Sequence, residues 1–118
     1  MSTTEDQARA GSFRLNLISL HCVRKQDAIG RDEPQLFVDG VSVFGPGNMG
    51  KGETVDLRPR SAQFTDVARL RLTEVDPGPD DELGTLVASS SQAGQGAQLG
   101  EFSLPGADYN LTYEVVPA

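Results

Sequence analysis

The 118-residue chain has little of what most metal and redox chemistry requires: one cysteine, Cys22, and one histidine, His21. A single cysteine excludes an internal disulfide framework and any cysteine-rich zinc site. A single histidine excludes most histidine-based metal sites and leaves His21 as the sole imidazole for general-base work. Basic residues are scarce as well. Ten Lys plus Arg against 17 Asp plus Glu leave a net charge of −7. That balance argues against a nucleic-acid backbone or an anionic membrane as the resting partner, because both need a basic patch. No apolar run approaches the roughly 18 residues of a membrane span. The N-terminus, MSTTEDQARAGS, is polar and acidic where a secretory signal is basic and then apolar. The expected location is therefore cytoplasmic, with export by another route or a place in a larger assembly left open.

Helical periodicity is also missing, and 13 Gly with 7 Pro imply frequent turns. Residues 1–12 carry no apolar pattern and read as a disordered lead-in to one domain, 13–118. Phe13, Leu15 and Leu17 alternate with polar residues; the phase then moves to Ile18, Leu20 and Cys22. Such a change predicts a bulge near Leu17–Ile18. Asp39-Gly40 between Leu36–Val38 and Val41–Phe44 is a strong hairpin signal. Thr54–Leu57 is a weaker strand. Val67–Val75 reads as the central one, with Ala68, Leu70 and Leu72 on one face. Leu83–Ala88, Leu99–Leu104 and Tyr109–Val115 complete about eight strands. The expected fold is all-β, an eight-stranded antiparallel β-sandwich.

Several motif-like stretches carry no chemistry. Gly45-Pro-Gly47-Asn-Met-Gly50-Lys51-Gly52 satisfies two nucleotide-binding patterns as text. A strand-like segment follows it where a helix is needed, and Gly52 stands where a phosphate loop needs Ser or Thr. No nucleotide is expected there. Ser19 and His21 share a strand face but lack a nucleophile elbow, and Cys22 reads as a small buried residue. The chain is not expected to be an enzyme.

Eight of the 17 acids fall in two windows. Asp27, Asp32 and Glu33 follow the first strand; Glu74, Asp76, Asp80, Asp81 and Glu82 follow the central one. Glu74 and Asp76 share the parity of Leu70 and Leu72, so they leave the strand on the core side. Carboxylates there need a partner, because a buried unpaired charge costs several kcal/mol. One partner that fits is Ca²⁺, which takes about 6–8 oxygen ligands at roughly 2.3–2.6 Å. The other reading is a set of solvated acidic loops.

The two windows resemble a known family. Leu17-x-x-Leu20 followed by Asp27-x-x-Gly30-x-x-Glu33-Pro34 is similar to the first calcium loop of the C-two (C2) domain family of calcium- and phospholipid-binding sandwiches. Glu74-Val-Asp76 and Asp81-Glu-Leu-Gly84 resemble the third loop, with Glu74 where the family has Asp. The resemblance implies a C2-like sandwich of distant, bacterial type in the circularly permuted strand order. It also implies bound Ca²⁺, with Asp27, Glu33, Glu74, Asp76 and Asp81 as ligands. Asp32, Asp80 and Glu82 would be additional ligands or groups around them. The function implied is a calcium-binding interaction module for a protein or glycan partner. Calcium-dependent membrane docking is the first alternative, although Ile29 is the sole apolar loop-tip residue and Arg24, Lys25 and Arg31 the only nearby bases. A structural or accessory domain without bound ion is the second.

Overall fold

The computed structural model describes residues 12–24, 31–75, 81–104 and 107–118. They form nine strands: β1 (Phe13–Arg24), β2 (Pro34–Val38), β3 (Val41–Phe44), β4 (Thr54–Asp56), β5 (Ser61–Phe64), β6 (Val67–Glu74), β7 (Asp81–Ser89), β8 (Ala97–Leu104) and β9 (Ala107–Pro117). One sheet has the order β4-β1-β9-β8, with β5 also on β1; the other has the order β3-β2-β6-β7. Every strand pairing is antiparallel. The ninth strand, β5, was not anticipated. It pairs with Phe13–Asn16 while β4 pairs with Ser19–His21, so the two share a single edge of β1. Four residues with only Phe64 fully buried give too short an alternation to read in advance.

The predicted phase change in β1 is a bulge at Ile18. Leu17 faces Tyr113 and Ser19 faces Thr112, leaving Ile18 as the extra residue. The bulge lets Leu15 and Leu17 before it, and Leu20 and Cys22 after it, all reach the core. The partner strand β9 needs no such correction and buries Tyr109, Leu111, Tyr113 and Val115 in strict alternation. Facing them from the second sheet are Leu36, Val38, Ala68, Leu70 and Leu72. Asp39 (φ 50°) and Gly40 (φ 82°) make the expected hairpin turn, both in the left-handed region that a primed turn requires.

Two features shape the end of the sandwich where β1, β3, β6 and β8 finish. Leu83 is an extra residue in β7, so Glu82 lies across from Thr73 and Asp81 across from Glu74. The Gly45–Gly52 segment is a crossover that carries the chain from β3 in one sheet to β4 in the other. Gly45 (φ 92°) is required there, because a Cβ would lie 2.4 Å from the Pro34 carbonyl. At the opposite end Ser12, read from sequence as lead-in, accepts a hydrogen bond from Ala118 N–H at 3.1 Å. Residues 1–11 of the predicted lead-in lie outside the described residues.

Candidate functional site at the acidic end

Both acidic windows open at the same end of the sandwich. β2 begins and β6 ends side by side, with Pro34 opposite Glu74, and Glu74 is in turn opposite Asp81 on β7. Residues directly opposite in an antiparallel pair point to the same face. Glu74 and Asp81 therefore share the inner face of the second sheet, as strand parity predicted for Glu74. Glu74 is 1% exposed, and its Oε2 accepts a hydrogen bond from Glu33 N–H at 3.0 Å. Val75 N–H returns a bond to the Glu33 carbonyl at 3.0 Å. Asp81 is half-buried, and the Glu33 side chain is exposed. The structure thus places Glu74 and Asp81 across from each other and brings the Glu33 backbone, not its side chain, against Glu74.

Asp32 takes a different position. It is fully buried, and its Oδ2 accepts from the Tyr109 hydroxyl at 2.6 Å. Its backbone makes a two-way bridge with Met49, at 3.0 Å and 2.9 Å. Gly47 N–H adds a bond to the Pro34 carbonyl at 2.8 Å. The 31–34 segment is thereby held on one side by β6 and on the other by the crossover. Tyr109 belongs to the first sheet, so its hydroxyl ties that sheet to the first acidic window. Burial, reinforced by the bond to Asp32, pushes the phenol well above its ordinary range, and it stays protonated as a donor. No local pattern pointed to Tyr109. Its alternation marked it as a core residue, and its partner lies 77 positions away.

The remaining acids divide. Glu82 points away from this end and pairs with Arg71 at 2.7 Å, where Arg71 also lies 6.0 Å from the Phe37 ring centre. Glu53, on the crossover, pairs with Arg31 and accepts from Gly50 N–H at 2.9 Å. The hydrogen bond from Arg31, followed by that from Gly50, holds the Glu53 carboxyl below the usual range. Arg31, counted from sequence among the bases beside the first loop, is thus engaged with Glu53 and with Asn48. Asp27, Asp76 and Asp80 lie outside the described residues. Among the described residues, no three His, Cys, Asp or Glu side chains are grouped as a metal would need. His21 Nδ1 lies 2.6 Å from the Thr54 hydroxyl on the outer face of the first sheet, and Cys22 is buried.

No family profile matches the sequence, and no curated protein sequence does. Solved structures do resemble it. A piece of extended synaptotagmin 2 containing two C2 domains superposes with a TM-score of 0.56 at 16% identity, over 92% of this chain and 41% of that one. A C2 domain of plant extended synaptotagmin 1 gives 0.54 at 11% identity, covering 93% and 97%. A further C2 domain gives 0.51 at 15% identity, covering 89% and 97%. At these identities the likeness is one of fold. The protein has a C2-like fold, an all-β sandwich of two antiparallel sheets.

Proposed function

We propose that the acidic end is a Ca²⁺ site and that the domain is a non-catalytic interaction module governed by that ion. The observation that carries this reading is Glu74. A carboxylate with 1% exposure stands on the core face at the rim of the sandwich, with Asp81 directly across from it. Burying a carboxylate is costly, and a hard cation held by several oxygens is a common way to offset that cost.

The donor chemistry supports the ion. Glu74 and Asp81 lie across from each other at this end, Glu33 stands just before β2 beside them, and Asp27 and Asp76 belong to the acidic windows that adjoin these strands. All are oxygen donors, which suit Ca²⁺ and not the softer metals that prefer imidazole or thiolate. Two neighbouring acids have other partners. Asp32 already serves Tyr109, and Glu82 already serves Arg71. The proposed ligands are Asp27, Glu33, Glu74, Asp76 and Asp81, with Asp32 and Glu82 around them. Asp80 would stand beside them. In the folded domain the ion would hold the two loops together and present one ordered end to a protein or glycan partner. Arg31, one of the bases beside the first acidic window, is committed to Glu53, which supports such a partner over an anionic membrane.

Thermal unfolding in chelator and then in millimolar Ca²⁺, with Mg²⁺ as control, tests the reading. A site held at about 100 times its dissociation constant adds roughly 2.7 kcal/mol, on the order of 10 °C for a domain near this size. Asp76→Asn with Asp81→Asn should remove that rise and leave unfolding in chelator nearly unchanged. An unaltered calcium response in the double variant would overturn the ligand assignment. Calcium-dependent recovery on anionic vesicles would replace the protein or glycan partner with a membrane.

A further inference from the structure

Among the described residues, two carboxylates are out of solvent, Asp32 at 0% exposure and Glu74 at 1%. The Ca²⁺ reading accounts for Glu74 and leaves Asp32 to be explained. Burying a carboxylate costs free energy that an apolar residue in the same place would not. What this one gains is a single defined bond, from the Tyr109 hydroxyl to its Oδ2 at 2.6 Å. The two residues lie 77 positions apart in the chain. The bond therefore joins the first acidic window to the middle of the opposite sheet.

Tyr109 is a fixed point. Its strand, β9, has β1 on one side and β8 on the other. Tyr109 stands opposite Cys22 in the first and Phe102 in the second, and all three are buried. A hydroxyl carried on a ring packed in this way is held where the sheet puts it. The bonds of Asp32 with Met49, and of Pro34 with Gly47, come instead from the crossover between β3 and β4. One residue beyond Asp32, Glu33 N–H donates to Glu74 Oε2 at 3.0 Å, and Val75 N–H donates to the Glu33 carbonyl at 3.0 Å. A continuous path thus runs from the Tyr109 hydroxyl to Asp32, along the chain to the Glu33 amide, and on to the rim carboxylate Glu74.

We propose, on the Ca²⁺ reading of the acidic end, that Tyr109 is a positioning residue for that site: through Asp32 its hydroxyl fixes the Glu33 amide that aims the Glu74 carboxylate, and so sets how tightly the ion is held. Asp32 is the acceptor of that bond and not a ligand. Glu33, Glu74 and Asp81 lie on or beside β2, β6 and β7, all strands of the second sheet. The Tyr109 hydroxyl gives them a fixed reference in the first. Groups that orient metal ligands without touching the metal matter for affinity, and their removal typically weakens binding by about 10- to 100-fold.

Calorimetric titration of the 118-residue chain with Ca²⁺, and amide hydrogen exchange of the same chain in chelator, test this. Both are run near the temperature of maximum stability, about 10–20 °C, where destabilised variants stay folded. Tyr109→Phe keeps every proposed ligand and should weaken Ca²⁺ binding by on the order of tenfold. In chelator it should speed exchange at the Glu33 and Val75 amides several-fold more than at Leu70, in the middle of β6. A purely structural loss would speed all three alike. Asp32→Asn and Asp32→Ala remove the same charge, but asparagine still offers an oxygen to the Tyr109 hydroxyl. The asparagine variant should therefore bind Ca²⁺ several-fold more tightly than the alanine variant. Equal affinities in those two, or a Tyr109→Phe chain that binds as the wild type does, would overturn the proposal. So would uniform exchange. A wild-type chain that takes up no Ca²⁺ would overturn the ion reading and the effect on affinity with it. The exchange ratio, measured without the ion, judges the positioning of Glu33 by itself.

Discussion

Carboxylates inside the acidic end and carboxylates along the β7/β8 side have similar neighbours in sequence and opposite surroundings in space. Asp32 and Glu74 are out of solvent, and each accepts a hydrogen bond from a fixed donor, the Tyr109 hydroxyl and the Glu33 amide. Glu82 and Glu101 are exposed; one meets an arginine and the other meets an aspartate. In the interior an ionisable group must be held by defined partners, because leaving one unsatisfied costs several kcal/mol. At the surface water screens both attraction and repulsion, so a mismatch such as Glu101 beside Asp108 is tolerated. The interior acids therefore govern backbone position, and the exposed ones answer to a surface neighbour.

Replacing the interior acceptor should break that contrast most strongly. Asp32→Ala strands the Tyr109 hydroxyl and removes the tie between the sheets. We expect a loss of about 2–3 kcal/mol in urea unfolding, the range for a hydrogen bond to a charged group. Tyr109→Phe keeps the ring but takes a donor from the buried Asp32 carboxylate, so a loss of similar size, about 2–3 kcal/mol, follows. The two changes together should cost less than their sum, since both remove one interaction. Additive losses would mean that the bond does not link the two sheets.

The exposed pair should respond far less. Arg71→Ala, which frees Glu82, should shift stability by no more than about 1 kcal/mol, the range of surface ion pairs. A loss as large as that of Asp32→Ala would erase the distinction between the two regions. The smallest effects are those of pH. Glu101 has a raised folded value, so its protonation favours the folded state as pH falls through that value, and the advantage is gone above it. Asp56 runs the other way: Arg58 holds it at about 2 against an ordinary 3.8, so its contribution is present above 3.8 and lost as pH falls towards 2. Glu101→Gln and Asp56→Asn should therefore alter the pH dependence of the melting midpoint in opposite senses. Parallel changes would mean that Asp108 and Arg58 are not the groups responsible.

Much of this could be read before the strands were paired. The phase change at Leu17–Ile18 announced the bulge, Asp39-Gly40 announced the hairpin, and the parity of Leu70, Leu72 and Glu74 placed a carboxylate on the core face. Each is a local signal, because a strand alternates every two residues and a primed turn needs particular residues. β5 was not legible, since four residues cannot sustain an alternation. Asp32, expected among the additional ligands or the groups around them, is met by a tyrosine from the other sheet. Nothing within reach of Asp32 along the chain encodes that distance. The close approach of Gly84 to Phe102 is equally silent, because it depends on how two sheets stack.

The sequence by itself determined which residues alternate, where the chain turns and which strand ends carry acid, since backbone geometry and side-chain polarity act over a few residues. Only the tertiary structure decided which acids lie inside, which donor each one meets, and which strands end each sheet. Those outcomes depend on desolvation and on contacts between positions far apart in the chain, and both arise only when the sheets close on each other.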